Sequence, residues 1–130
     1  MSDKRKIFIV DDEEVIVTSL KKLLVVSGFE VEATQKAIEA VPMIKVFKPH
    51  LILLDLLMPD LNGHEICELL NKDEGTRGIP IIIISASGHH QTIKKSYRLG
   101  VIGYFTKPYD FPKLLDEINK AITYKEGKLP

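Results

Sequence analysis

LILLDLLMPDLNG, residues 51–63, is the stretch whose reading decides the fold. The apolar run Leu51–Leu54 ends in the carboxylate of Asp55. A continuous apolar run of this length predicts a strand buried on both faces, as in a parallel sheet. Met58-Pro59 and Asn62-Gly63 then turn the chain into a loop. Asp55 therefore stands at the carboxyl end of a central strand, where open α/β sheets bind ligands. A carboxylate beside so much apolar surface is costly unless cations or donors meet it.

Outward from this stretch, strands and helices alternate. Lys6–Val10 predicts a first strand, running into Asp11-Asp12-Glu13. Helical spacing over Val15–Ser27 (Ile16, Leu20, Leu23, Leu24) stops at Gly28. Phe29–Thr34 alternates apolar and polar residues, which predicts a strand nearer the sheet edge. Gln35–Phe47 predicts a second helix, with Pro42 inside it to kink it or cost a hydrogen bond. After Leu51–Asp55, Gly63–Asn71 predicts a short helix and Asp73–Gly78 a loop. Ile79–Ser85 is the second fully apolar strand. A helix over His89–Leu99, a strand over Val101–Thr106 and a helix over Phe111–Tyr124 complete the series. Residues 125–130, KEGKLP, carry no pattern. Five strands alternating with five helices predict a doubly wound α/β fold with a five-stranded parallel sheet.

With 130 residues, the chain predicts a single domain over 1–130, its core spanning about 6–124. Lys+Arg and Asp+Glu number 18 each, and this zero balance argues against direct nucleic-acid binding. No apolar run reaches the ~18–20 residues that a membrane span needs. Acidic residues come too early for a signal peptide, and the single Cys67 fits a reducing cytoplasm.

The residues ending each strand fall on one rim of such a sheet. They are Asp11 and Asp12, then Asp55, Ser85 and Lys107. Three crowded carboxylates repel unless a cation joins them, and an all-oxygen set that keeps waters suits Mg²⁺. A carboxylate nucleophile, a divalent ion, a lysine and a hydroxyl are the parts needed to receive a phosphoryl group as an aspartyl phosphate. Each residue alone reads blandly. Asp12 or Glu13 would be a helix cap, Ser85 a turn residue, and Lys107 the extended residue before Pro108. The specificity lies in their convergence.

On these motifs the chain resembles the response-regulator receiver domains of bacterial two-component signalling. IVDDEE at 9–14, LILLDLLMPDLNG at 51–63, IIIISAS at 81–87 and YFTKPYD at 104–110 carry the resemblance. It covers about Lys6 to Tyr124. It implies the flavodoxin-like strand order 2-1-3-4-5 and Asp55 as phospho-acceptor. Asp11 and Asp12 would hold Mg²⁺ together with Asp55 and the Leu57 backbone carbonyl. Ser85 and Lys107 would bind phosphoryl oxygens, Lys107-Pro108 would be cis, and Tyr104 would be the switch aromatic. The implied donor is a sensor histidine kinase or phosphotransfer protein. The implied output is an altered face of helix four, strand five and helix five, offered to a partner or output domain. Such a chain modifies itself and is not a turnover enzyme. Two readings of its extent fit, a stand-alone receiver or one cut from a longer protein.

Departures from the family pattern are specific. Leu57 is apolar where many relatives are polar or acidic, which predicts slower loss of the phosphoryl group to water. Ile102-Gly103 stand where dimerising relatives carry an acidic pair, so their salt-bridged homodimer is not expected, although another homodimer fits. A haloacid-dehalogenase-like phosphatase would need an acid where Leu57 stands. A dinucleotide site would need a glycine-rich turn where Asp-Asp-Glu-Glu follows strand one. A phosphorylation-independent interaction module is the alternative within the same fold. His50 and His64 read as surface residues, His89-His90 as a solvated helix start, Cys67 as a small helix residue, and Lys94, Lys95 and Arg98 as a solvated basic strip.

Overall fold

In the computed structural model, which describes residues 4–126, the five strands are β1 (Lys6–Val10), β2 (Glu30–Thr34), β3 (Leu51–Leu54), β4 (Ile81–Ser85) and β5 (Gly103–Thr106). All neighbouring pairs are parallel, in the order β2-β1-β3-β4-β5. Between and after them run α1 (Glu14–Val26), α2 (Ala37–Phe47), α3 (Gly63–Lys72), α4 (His90–Arg98) and α5 (Phe111–Lys125). The fold class and strand order are those expected.

The central strands feed two cores by simple alternation. Phe8, Val10, Ile52, Leu54, Ile81 and Ile83 point to one face, where Ala40 and Ile44 of α2 and Ile66 and Leu70 of α3 cover them. Ile7, Ile9, Leu51, Leu53, Ile82 and Ile84 point to the other, under Leu20 and Leu24 of α1 and Leu114 and Ile118 of α5. Every residue of β3 and β4 is buried, which explains their unbroken apolar sequences. By contrast, α4 contributes one buried residue, Ser96.

Several boundaries differ from the sequence expectation for local reasons. β4 begins at Ile81 because Pro80 has no N–H for the ladder, though its carbonyl still accepts from Ile52 N at 3.0 Å. β5 begins at Gly103, and Ile102 N reaches the Ile81 carbonyl at 2.9 Å from outside the strand. α5 extends one residue past Tyr124 to Lys125, so the patternless tail starts later than expected, and residues 127–130 lie outside the described residues. α2 runs through Pro42. The Ile38 carbonyl loses its partner there, but Ile38 is 71% exposed, so water can serve that oxygen. The helix ends on Lys48 in the left-handed region, at φ 55°, with its N–H on the Ile44 carbonyl at 2.8 Å.

Candidate functional site

The rim at the strand carboxyl ends is assembled by backbone ladders that continue one residue past the strands. Asp55 N donates to the Val10 carbonyl at 2.8 Å, and Asp11 N to the Thr34 carbonyl at 3.2 Å. Lys107 N donates to the Ser85 carbonyl at 2.8 Å, which sets the lysine beside β4. The Lys107-Pro108 bond is cis, as expected.

Asp11 and Asp55 are 3% and 4% exposed, and Ser85 is fully buried. Asp12 is not buried. One oxygen from each of Asp11, Asp12 and Asp55 lies within 4.8 Å of the others. This is a hard, all-carboxylate donor set, which fits a hard divalent ion such as Mg²⁺. Lys107 Nζ stands among three carboxylates, 2.6 Å from Glu13 Oε1, 2.9 Å from Asp11 Oδ2 and 3.4 Å from Asp55 Oδ2. Burial works against the ammonium, but the bonds to Glu13 and Asp11 and the charges of Asp11 and Asp55 outweigh it and raise its pKa. Burial also lifts the Asp11 carboxyl above its usual range, against bonds from the Glu13 amide and Lys107.

Asp11, Asp12, Asp55 and Lys107 come together. Ser85 ends β4 next to Lys107, its Oγ accepting from Ser87 N at 3.3 Å. Leu57 is 55% exposed at the rim, its N–H on Asp55 Oδ1 at 3.2 Å. Tyr104 is half-buried and donates its hydroxyl to the Ser87 carbonyl at 2.6 Å.

Five features are not legible in the sequence. Glu13 spends its side chain on Lys107 and makes no cap bond on α1. Asp60, in the loop after Asp55, caps α2 from afar, accepting from Ala37 N at 3.3 Å and Ile38 N at 3.0 Å. The Ile38 N–H, first among these donors, holds the Asp60 carboxyl below the usual range. Gly63 packs directly on the backbone of Asp55 and Leu56. Finally, His64 is not a surface residue. It is buried, and its Nε2 lies 2.8 Å from Ser96 Oγ of α4. The Ser96 hydroxyl also lies 2.9 Å from the Thr92 carbonyl; with its one hydrogen directed there, it accepts from His64 Nε2–H. His50 is likewise half-buried, its Nδ1 accepting from Lys6 N at 2.9 Å. His89, His90 and the Lys94, Lys95 and Arg98 strip are exposed as read, and Cys67 is buried, its thiol pushed up to about 11 by desolvation.

The His64–Ser96 bond carries a stability prediction. Ser96→Ala leaves a buried N–H without an acceptor and should cost ~1–3 kcal/mol in urea unfolding. Burial, then the charge of Lys95 on α4, lowers the His64 pKa, with Glu68 on α3 opposing. The unfolded chain therefore binds the proton more readily, and His64 withdraws stability as pH falls below its unfolded value of ~6.5. That acid-side loss should shrink in His64→Phe, as read from unfolding midpoints at pH 7.5 and 5.5.

The model of the response regulator receiver domain matches residues 7–119, and the chain belongs to that family. It is 30% identical to the chemotaxis protein CheY of Halobacterium salinarum, over 92% of this chain and 98% of that protein. It is 30% identical to the polar-differentiation response regulator DivK of Brucella ovis, over 91% and 96%. Against the transcriptional regulator RpaA of Synechocystis it is 29% identical over 96% of this chain and 52% of that protein. The chain thus spans about half the length of several relatives it matches. Among solved structures, a CheY-like receiver domain from Methanospirillum hungatei superposes with a TM-score of 0.90 at 28% identity, covering 98% of this chain and 100% of that one. No helix among the described residues is long and apolar enough to cross a membrane.

Proposed function

We propose that this receiver domain, with its core over about 6–124, accepts a phosphoryl group on Asp55 from a phosphohistidine of a sensor histidine kinase or phosphotransfer protein. The observation that carries the reading is the charge arrangement: one ammonium and two further carboxylates converge on a buried Asp55 at the sheet rim. An Asp55 oxygen attacks phosphorus, the donor's P–N bond breaks, and the departing imidazole takes up a proton. Asp11, Asp12 and Asp55, with the Leu57 carbonyl as a further ligand, would hold Mg²⁺, which supplies neutralisation of phosphoryl charge. Lys107 adds a fixed positive charge that the acyl phosphate attracts. Ser85 turns to donate its hydroxyl to a phosphoryl oxygen, and that movement draws it away from the Ser87 amide it now accepts from. Tyr104, tied to the same Ser87 by its hydroxyl, is placed to follow as the switch aromatic and to alter the α4–β5–α5 face for a partner. The site acts once on itself in the cytoplasm and does not turn over a substrate.

The test is incubation with a small-molecule acyl phosphate and Mg²⁺, read by intact mass. One added phosphoryl group is expected, and chelating the metal should abolish it. No mass gain from either this donor or a phosphorylated histidine kinase would overturn the proposal. Leu57, half-exposed beside the acceptor, should shield the acyl phosphate. Leu57→Asn is expected to lose its phosphoryl group several-fold faster, as followed by the decay of the phosphorylated mass.

A further inference from the structure

The shortest contact of Lys107 is neither to the acceptor nor to Asp11. It is to Glu13, at 2.6 Å, against 2.9 Å to Asp11 and 3.4 Å to Asp55. This is not an ordinary surface pair, which would be worth little. The Lys107 side chain is 10% exposed, while that of Glu13 is 56% exposed. The Glu13 backbone is anchored by its N–H on Asp11 Oδ1 at 2.9 Å, which places the base of its side chain beside the site. Glu13 is also outside the set of oxygens that converge within 4.8 Å. The ammonium thus has two kinds of partner. Asp11 and Asp55 belong to the convergent acidic set, and Glu13 does not.

We propose that Glu13 is a positioning residue that draws the Lys107 ammonium outward, so that it shares its contacts with Glu13, stays at the long 3.4 Å from Asp55 and competes less with a divalent cation for the convergent carboxylates. This rests on the reading of that acidic set as a Mg²⁺ site beside the phosphoryl acceptor. Without Glu13 the ammonium has only Asp11 and Asp55 to neutralise, and it competes with the metal for the same lone pairs. With Glu13 present, the lysine stays close enough to swing onto a phosphoryl group, whose charge exceeds that of the Glu13 carboxylate.

The experiment is a double-mutant cycle on Mg²⁺ affinity, measured by ¹H–¹⁵N NMR titration, which also reports whether each variant is folded. Glu13→Gln is expected to weaken Mg²⁺ binding on the order of 5-fold, at the low end of coupled sites. In a Lys107→Met background, or Lys107→Gln if the first is unfolded, the same Glu13→Gln change should have almost no effect. If Glu13 acted only as one more negative charge attracting the cation, the loss would persist without Lys107, and that result overturns the proposal. An unchanged affinity in Glu13→Gln alone overturns it as well. Failure of the wild-type protein to bind Mg²⁺ would overturn the function proposed above, and this inference with it.

Discussion

Asp55→Asn is expected to take up no phosphoryl group from any donor, and to be more stable than the parent in the absence of divalent metal. The first effect follows from chemistry: an amide oxygen is no nucleophile toward phosphorus under these conditions, and no other carboxylate replaces it. Asp11 is bonded through Oδ1 to the Glu13 amide and through Oδ2 to Lys107. The second effect follows from crowding. The Asp55 charge works against ionisation of the neighbouring Asp11. Their carboxylate oxygens approach within 4.8 Å, and at an effective dielectric near 20 such like charges cost on the order of a few kcal/mol, partly offset by the long Asp55–Lys107 contact. The net gain should be on the order of 1 kcal/mol, since the amide keeps an oxygen for the Leu57 N–H. Millimolar Mg²⁺ should reverse the order, because the parent gains binding free energy that the variant has lost. Thermal melts with and without Mg²⁺, alongside intact mass after phosphodonor treatment, check both parts. A variant less stable than the parent without metal would contradict the charge argument.

Gly63→Ala is expected to be the most damaging conservative change at the site. A Cβ at position 63 would stand 2.7 Å from the Asp55 carbonyl oxygen, 2.7 Å from Leu56 Cα and 2.9 Å from Leu56 Cδ2. Two of these atoms are backbone, so no rotamer change relieves the contact. Nor can the glycine withdraw freely, because its N–H donates to the Leu56 carbonyl at 3.0 Å. The loop must shift, at ~1–3 kcal/mol by analogy with overpacked cores. The shift falls on Asp55, the proposed acceptor. Phosphoryl uptake should therefore slow even at urea concentrations where the variant is fully folded. A urea midpoint equal to the parent's would show that the loop accommodates the methyl group.

The sheet and its rim were legible because they depend on patterns local in sequence. Leu51–Leu54 and Ile81–Ser85 are apolar without interruption because helices cover both faces, and parallel strands must then deliver their end residues to one edge. What stayed hidden depends on partners distant in sequence. The residues around Gln35 place the start of α2 only loosely, because the carboxylate that caps Ala37 and Ile38 is Asp60, from another loop. His64 resembles a solvated residue until α4 lays Ser96 over it, 32 positions away. In sequence Gly63 is one half of a turn, although its need is steric and lies in the backbone before it. Glu13 alone reads as a cap for α1, and only the return of β5 brings Lys107 within its reach.

The scarcity of apolar anchoring under α4 has a consequence for how the molecule can respond. The other four helices each seat three or more buried side chains, whereas α4 seats Ser96 alone and is clasped by the imidazole of His64 and by Asn71 Nδ2 on the Leu99 carbonyl at 2.8 Å. Grease holds a helix at every small displacement, but a hydrogen-bonded clasp lets go over a fraction of an ångström and is replaced by water. This segment is therefore hinged like a cover slip, able to lift or re-register while both cores stay closed, and its amides should exchange with solvent before those of any other helix.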